Sequence, residues 1–151
     1  MAHKTGYTKG RDEYPLMPKK TIRTKCLEAL QLLARISAAD ENGWVQCVSC
    51  GKKDHYKDMQ GGHFIPKGHS SYWALREENV HPQCPGCNMF GMRHGTASQA
   101  YTIWMQEYYG KDFVQEMIDK KKTLNKISKY EYEDTLKNFN ELIKFHKGRI
   151  G

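Results

Sequence analysis

Two cysteine pairs, Cys47-x2-Cys50 and Cys84-x2-Cys87, constrain this chain more than any other feature, because four thiols presented from two tight turns can close on one tetrahedral ion. Zinc held by four thiolates keeps no open position for water, so the expected role is structural, and such sites contribute on the order of 10–16 kcal/mol of apparent folding energy. In a simple zinc ribbon about 15–20 residues separate the pairs. Here residues 51–83, a stretch of 33, lie between them. Something is therefore inserted, and the clamp brings the ends of the insert close to whatever follows Cys87. The fifth cysteine, Cys26, falls on an apolar stripe and reads as a small core residue rather than a ligand.

The pattern around this clamp is α+β and mainly helical, with a flexible basic arm expected at 1–17 and a single domain over 18–151. Ile22, Cys26, Leu30, Leu33 and Ile36 recur at helical spacing and predict an N-terminal helix over about 18–41, stopped by Asn42-Gly43. Between Trp44 and Gly95 no long helical repeat appears. Short strands are expected at Trp44–Cys47 and Met59–Ile65, with a short helix at the second cysteine pair that carries Pro85 in its first turn. Helices then fill about 96–148. The first is opened by a capping box Thr96-x-x-Gln99 and has Ala100, Ile103 and Trp104 on its stripe; a second covers about 111–122; a third is opened by Ser128-x-x-Glu131 and has Tyr132, Leu136, Phe139 and Ile143 on its stripe.

Twenty-four Lys and Arg against 17 Asp and Glu leave a formal charge of +7, which favours a polyanionic partner through counterion release. Residues 1–20 are polar and basic with no apolar run, and no stretch is long enough to span a bilayer, so a cytoplasmic protein without a membrane partner is expected. In that reducing compartment the paired cysteines argue for metal rather than disulfides.

Phosphodiester hydrolysis needs a base for water and a cation for the charge on phosphate and leaving oxygen. His63 is the candidate base, since imidazole titrates near neutral pH and Gly61-Gly62 before it leave room for a nucleic-acid backbone. Lys67, Arg76 and Arg93 are the expected phosphate contacts.

The segments Cys47-Val48-Ser49-Cys50-Gly51, Gly62-His63-Phe64-Ile65, Leu75-Arg76, Glu78-Asn79-Val80-His81 and Gln83-Cys84-x2-Cys87-Asn88 together resemble the NinG (Rap) family of lambdoid phages over about residues 44–120. The order His63, Asn79, Asn88 is similar to that of HNH, or ββα-metal, nucleases of the endonuclease VII type. The resemblance implies a zinc-stapled ββα-metal core over about 44–95 with flanking N- and C-terminal helices. It further implies a phage-encoded recombination endonuclease cutting branched DNA, such as Holliday junctions and D-loops, in the bacterial cytoplasm. Carried across by position, His63 is the general base, Asn79 braces its loop, and Asn88 ligates a catalytic Mg2+ or Mn2+ separate from the zinc held by Cys47, Cys50, Cys84 and Cys87. One departure matters. Gly62 stands where many such sites have an aspartate ligand, so Gln60 and His81, with Asp58 and His94 behind them, are candidates to complete the shell. Two other readings compete: a non-catalytic zinc-stabilised protein that binds DNA junctions, and an HNH nicking enzyme for ordinary duplex DNA. Two coordinated cuts on a two-fold substrate would suit a homodimer, and phage or host recombination proteins are expected partners.

Overall fold

Thr21 adopts extended backbone and its hydroxyl accepts a hydrogen bond from the Thr24 amide at 3.2 Å, so the first helix, α1, begins at Ile22 and runs to Ala38. The computed structural model describes residues 19–151; the arm expected at 1–17 lies outside them. α1 stops short of Asn42 because the Asp40 carboxylate accepts from the amides of Asn42 and Trp44, both at 2.9 Å, which turns the chain before Gly43 at φ 86°. Cys26, Leu30, Leu33 and Ile36 are buried along α1 as their spacing requires, and the Cys26 thiol donates to the Tyr132 carbonyl at 3.2 Å.

Two small antiparallel hairpins follow. β1 (Trp44–Gln46) pairs with β2 (Lys53–His55), and β3 (Gln60–His63) pairs with β4 (Val80–Gln83) in the register Gln60↔Gln83, Gly61↔Pro82, Gly62↔His81, His63↔Val80. Directly after β4, Pro85 opens a helical segment. Its first part, Gly86–Gly91, is a π-type turn, and Met92–His94 (α2) continues it. α3 (Ala97–Tyr109) and α4 (Lys111–Asp119) are separated by Gly110 at φ 93°, and α5 (Lys129–Arg149) closes the chain.

Two expectations about these helices need correction. Thr96 makes no side-chain cap bond, whereas Ser128 does accept from the Glu131 amide at 3.1 Å. Ile103 is 56 % exposed; α3 buries Ala97, Tyr101 and Met105, a strict i, i+4, i+8 set one residue out of phase with the expected stripe.

The interior has two parts. α1, β1, Tyr56, Met59 and Val80 meet Phe139 and Ile143 of α5 in one cluster; Ile65, Trp73, Tyr101, Met105, Val114 and Met117 form the other. α5 lies parallel to α1, since Cys26 reaches Tyr132 near both starts and the Arg149 guanidinium donates to the Ile36 and Ser37 carbonyls near both ends, at 3.0 and 3.1 Å. Among the described residues no helix is long and apolar enough to cross a membrane.

The four paired cysteines meet between the hairpins. Cys47 and Cys50 occupy the turn after β1, closed by Gly51 at φ 79°; Cys84 directly follows β4 and Cys87 lies in the π-type turn. Their sulfurs all fall within 4.8 Å of one another, and Cys50 Sγ and Cys84 Sγ are 3.7 Å apart. A tetrahedral ion with Zn–S bonds of about 2.3 Å sets sulfur–sulfur edges of about 3.8 Å, so the cluster can hold a metal such as zinc. It is tied into the fold on two sides. Val48 donates its amide to the Pro82 carbonyl at 3.0 Å, and the Ser49 hydroxyl donates to the Ala97 carbonyl at 2.9 Å.

The purified protein is expected to carry one zinc ion per chain, and Cys84→Ser to lose both the ion and a cooperative thermal transition. Zinc release to a chromogenic chelator, followed by thermal melts, checks this; a metal-free chain that melts like the native one contradicts it.

Candidate functional site

β3 carries two residues without side chains, and the structure shows why. A Cβ on Gly61 would lie 2.6 Å from Gln31 Cα and 2.7 Å from the Gln31 carbonyl oxygen, so α1 rests directly on the strand. A Cβ on Gly62 would overlap the side-chain oxygen of Gln83. The expectation that these glycines make room for a nucleic-acid backbone is thus corrected: both are buried, and protein already fills the space beside them.

His63 ends the strand half-buried. Its Nε2 lies 2.9 Å from the Ala74 carbonyl, which can only accept, so in the neutral ring Nε2 carries the proton and Nδ1 keeps its lone pair. Burial holds the His63 pKa below its ordinary 6.5; the Ala74 hydrogen bond opposes this, and the charges of Lys67 and Arg23 push the same way as burial. The imidazole is therefore neutral at pH 7, the form a general base requires.

The Ala74 carbonyl is itself held by Asn79, one step removed. Asn79 is fully buried; its Oδ1 accepts from the Ile65 amide at 2.7 Å, and its Nδ2 donates to the carbonyls of Ile65 at 2.9 Å and Trp73 at 3.1 Å. One carboxamide thus pins both ends of the loop over residues 65–73, immediately before Ala74. Arg23, which sequence reasoning did not single out, reaches the same loop from α1 by donating to the Lys67 carbonyl at 3.4 Å. Its position in an ordinary amphipathic helix gave no signal.

Asn88 lies at the other end of the hairpin. Its Nδ2 donates to Gln60 Oε1 at 2.8 Å, in a cleft of about 270 Å3 shared with Gln31, Arg35, Met59 and Gly61. The bond uses the amide nitrogen of Asn88, not its oxygen. Gln60 precedes His63 by three residues, roughly 10 Å along an extended strand, and no hydrogen bond joins Asn88 to His63 among the described residues. The fold thus brings Asn88 to Gln60, and Asn79 to the loop that holds His63. Asp58 and His94 are exposed, His94 against the Phe90 ring at 4.8 Å. A larger cavity of about 740 Å3, with Leu30, Leu33, Val45 and Trp104 in its walls, reaches neither His63 nor Asn88.

His81, expected as a metal ligand, has no nitrogen to offer. Tyr101 donates its hydroxyl to the Gly62 carbonyl at 2.8 Å, so His81 Nδ1 must donate to the Tyr101 oxygen at 3.0 Å, and Nε2 accepts from Tyr109 at 2.9 Å. The result is a buried chain of hydrogen bonds from Tyr109 through His81 and Tyr101 to the strand backbone beside His63. Of the expected phosphate contacts, Lys67, Arg76 and Arg93 are all exposed. Arg76 sits 4.8 Å over the Tyr72 ring and 3.9 Å from Glu78.

Burial lowers the His81 pKa to about 4 from an ordinary 6.5. Below pH 6.5 the unfolded chain takes up a proton that the folded one refuses, so stability falls from there to about pH 4, by roughly 3 kcal/mol from this group alone. Denaturant titrations at stepped pH are expected to show a shallower acid loss in His81→Phe than in the native protein, although the variant starts lower for want of two hydrogen bonds. Equal slopes would contradict the assignment, and the comparison separates His81 from any acid release of metal.

No curated protein and no solved structure matches the chain. A family model does: the one described as Bacteriophage Lambda NinG protein aligns with residues 18–148. That span takes in α1, both hairpins, the four-sulfur cluster, the Asn79-braced loop and nearly all of α5, and the chain belongs to the NinG family.

Proposed function

We propose that this protein is a metal-dependent endonuclease of the HNH kind that cuts branched DNA recombination intermediates, with zinc as a structural staple and His63 as general base. One observation carries the reading: a neutral, half-buried imidazole anchored through Nε2 to a carbonyl in an Asn79-braced stretch, which leaves Nδ1 unprotonated for a water. A histidine that served only packing would gain nothing from cationic neighbours, yet Lys67 and Arg23 lie close enough to act on this one. The same cations can attract and orient a phosphate, placing an anion beside the base.

In this reading β3, β4 and the helical segment after Pro85 form the ββα-metal unit. The donor set suits a hard divalent ion in kind, since Gln60 and Asn88 supply amide oxygens rather than sulfur or nitrogen, although no carboxylate lies among them. When bound, Mg2+ or Mn2+ would supply positive charge against the phosphate and the leaving oxygen. The protein's share of the reaction is to hold Nδ1 of His63 in place to take a proton from water, and to keep that ring neutral. Neutral donors leave the negative charge to the DNA, so the ion is expected to bind more tightly in the presence of substrate.

The binding-only reading draws on the position of Asn88, which bonds Gln60 and not His63. It predicts junction binding without products. A synthetic four-way junction incubated with Mg2+ distinguishes the two: cleavage is expected from the native protein, with His63→Ala slower by about 100-fold or more. The rate should climb with pH as the imidazole loses its proton, and the midpoint of that climb should lie below 6.5. Equal nicking by native protein and His63→Ala would remove His63 from the chemistry, and stronger cutting of linear duplex would shift the substrate to ordinary DNA.

A further inference from the structure

We infer that Arg35 binds one phosphate of the DNA strand on which His63 acts, its unspent Nη2 donors forming with Gln31 an anion subsite at the Gln60 end of β3; this rests on the branched-DNA reading above. Arg35 is half-buried on α1, and three of its five N–H groups are spent on backbone carbonyls. Nε donates to Gln31 at 3.1 Å, and Nη1 donates to Tyr56 at 3.1 Å and to Met59 at 3.2 Å. Nη2 makes no hydrogen bond among the described residues and is not a buried atom, so both of its protons remain available to a ligand.

The charge is as unmatched as the donors. All three acceptors are neutral carbonyls, and among the described residues Arg35 forms no ion pair. Burial pushes its pKa down from the ordinary value, with Tyr56 opposing. A guanidinium drawn partly out of water with no counter-charge is stabilised by an anion that joins it. The cleft of about 270 Å3 beside it, walled by Gln31, Met59, Gln60, Gly61 and Asn88, contains no carboxylate to fill that role. It does contain further donors. No side-chain hydrogen bond ties down the Gln31 carboxamide among the described residues, and Asn88 Nδ2 keeps a second proton after its bond to Gln60.

The place of the cleft suits a nucleic-acid backbone. α1 rests on β3 where Gln31 meets Gly61, and it carries a guanidinium to each end of that strand: Arg23 reaches the Lys67 carbonyl in the His63 loop, and Arg35 lies beside Gln60. From Gln60 to His63 is roughly 10 Å of extended chain, and the phosphates of one DNA strand rise about 3.4 Å each along a duplex, so the two ends of β3 are about three nucleotides apart. A strand cut beside His63 thus has a phosphate to give Arg35.

The test is the affinity of the zinc-loaded full chain for a fluorescent four-way junction without added Mg2+, read by anisotropy over a series of salt concentrations. Arg35→Gln should bind about tenfold more weakly near about 0.1 M salt, and the slope of log affinity against log salt should shrink by about 0.9, the share of one phosphate contact. Gln31→Glu keeps Arg35 and its three carbonyl bonds but sets a carboxylate one turn before it, a favourable helical pair, and should lose affinity and slope alike. Gln115→Glu, the same charge change on α4, should bind as the native protein does. A guanidinium that only fastens the turn at Tyr56–Asp58 predicts lower melting temperatures with an unchanged slope, and that result in a zinc-loaded Arg35→Gln overturns the inference. If Arg35→Gln loses its zinc, Gln31→Glu decides alone, and a loss there no larger than in Gln115→Glu overturns it. Stabilisation of the native protein by inorganic phosphate at matched ionic strength, with junction affinity intact in both cleft variants, would give the cleft to a free anion and overturn the DNA assignment. Native binding without cleavage in Mg2+ removes the nuclease reading and leaves Arg35 its phosphate; absence of native binding defeats both together.

Discussion

Four sulfurs from two distant turns converge on one point, and the rest of the molecule is arranged around that convergence. Two-stranded hairpins are marginal on their own, and this chain has two of them, each only three or four residues long. Among the described residues neither has a third strand to complete it. The cluster of Cys47, Cys50, Cys84 and Cys87 joins the turn after β1 to the end of β4, so an ion there closes the intervening loop and fixes one hairpin against the other. The polar links are consistent with this. Val48 bonds Pro82, and Ser49 bonds both Gln83 and Ala97, so the first cysteine turn is stitched to β4 and to the start of α3.

From that anchor the candidate site is assembled largely by carboxamides and backbone groups. Asn79 closes the loop that presents the Ala74 carbonyl to His63, and Tyr101 and His81 hold the Gly62 carbonyl from the opposite strand and α3. Asn79, His81 and Tyr101 are buried and their side-chain polar atoms are hydrogen-bonded, which makes the arrangement rigid and costly to disturb. Among the described residues Gln83 Oε1 is the buried side-chain polar atom without a hydrogen-bond partner, and it lies against Gly62.

Much of this was legible in the sequence where a pattern repeats. The stripe from Ile22 to Ile36 and the Ser128 cap announced α1 and α5, and the spacing of the cysteine pairs announced the cluster. β2 and β4 left no such trace, because Lys53-Asp54-His55 is polar throughout and β4 is buried on both faces with a proline inside it. Glycines were misread for a related reason. Their use at 61 and 62 depends on which helix and which side chain come to lie on them, and that is a tertiary fact. The same holds for His81, whose two tyrosine partners lie 20 and 28 residues away, and for Gln83, which had no motif beyond its place before Cys84.

With an ion bound, the four-sulfur cluster and the His63 loop are expected to form one cooperative unit. Hydrogen exchange at the Phe64 and Ile65 amides, which donate to the Asn79 carbonyl and side chain, reports on that unit directly. In zinc-loaded protein both amides should exchange slowly, and on chelation both should fall to the rate of an open chain. If they stay protected after the metal is gone, the hairpin and its loop stand without the sulfurs, and cluster and loop are not one cooperative unit.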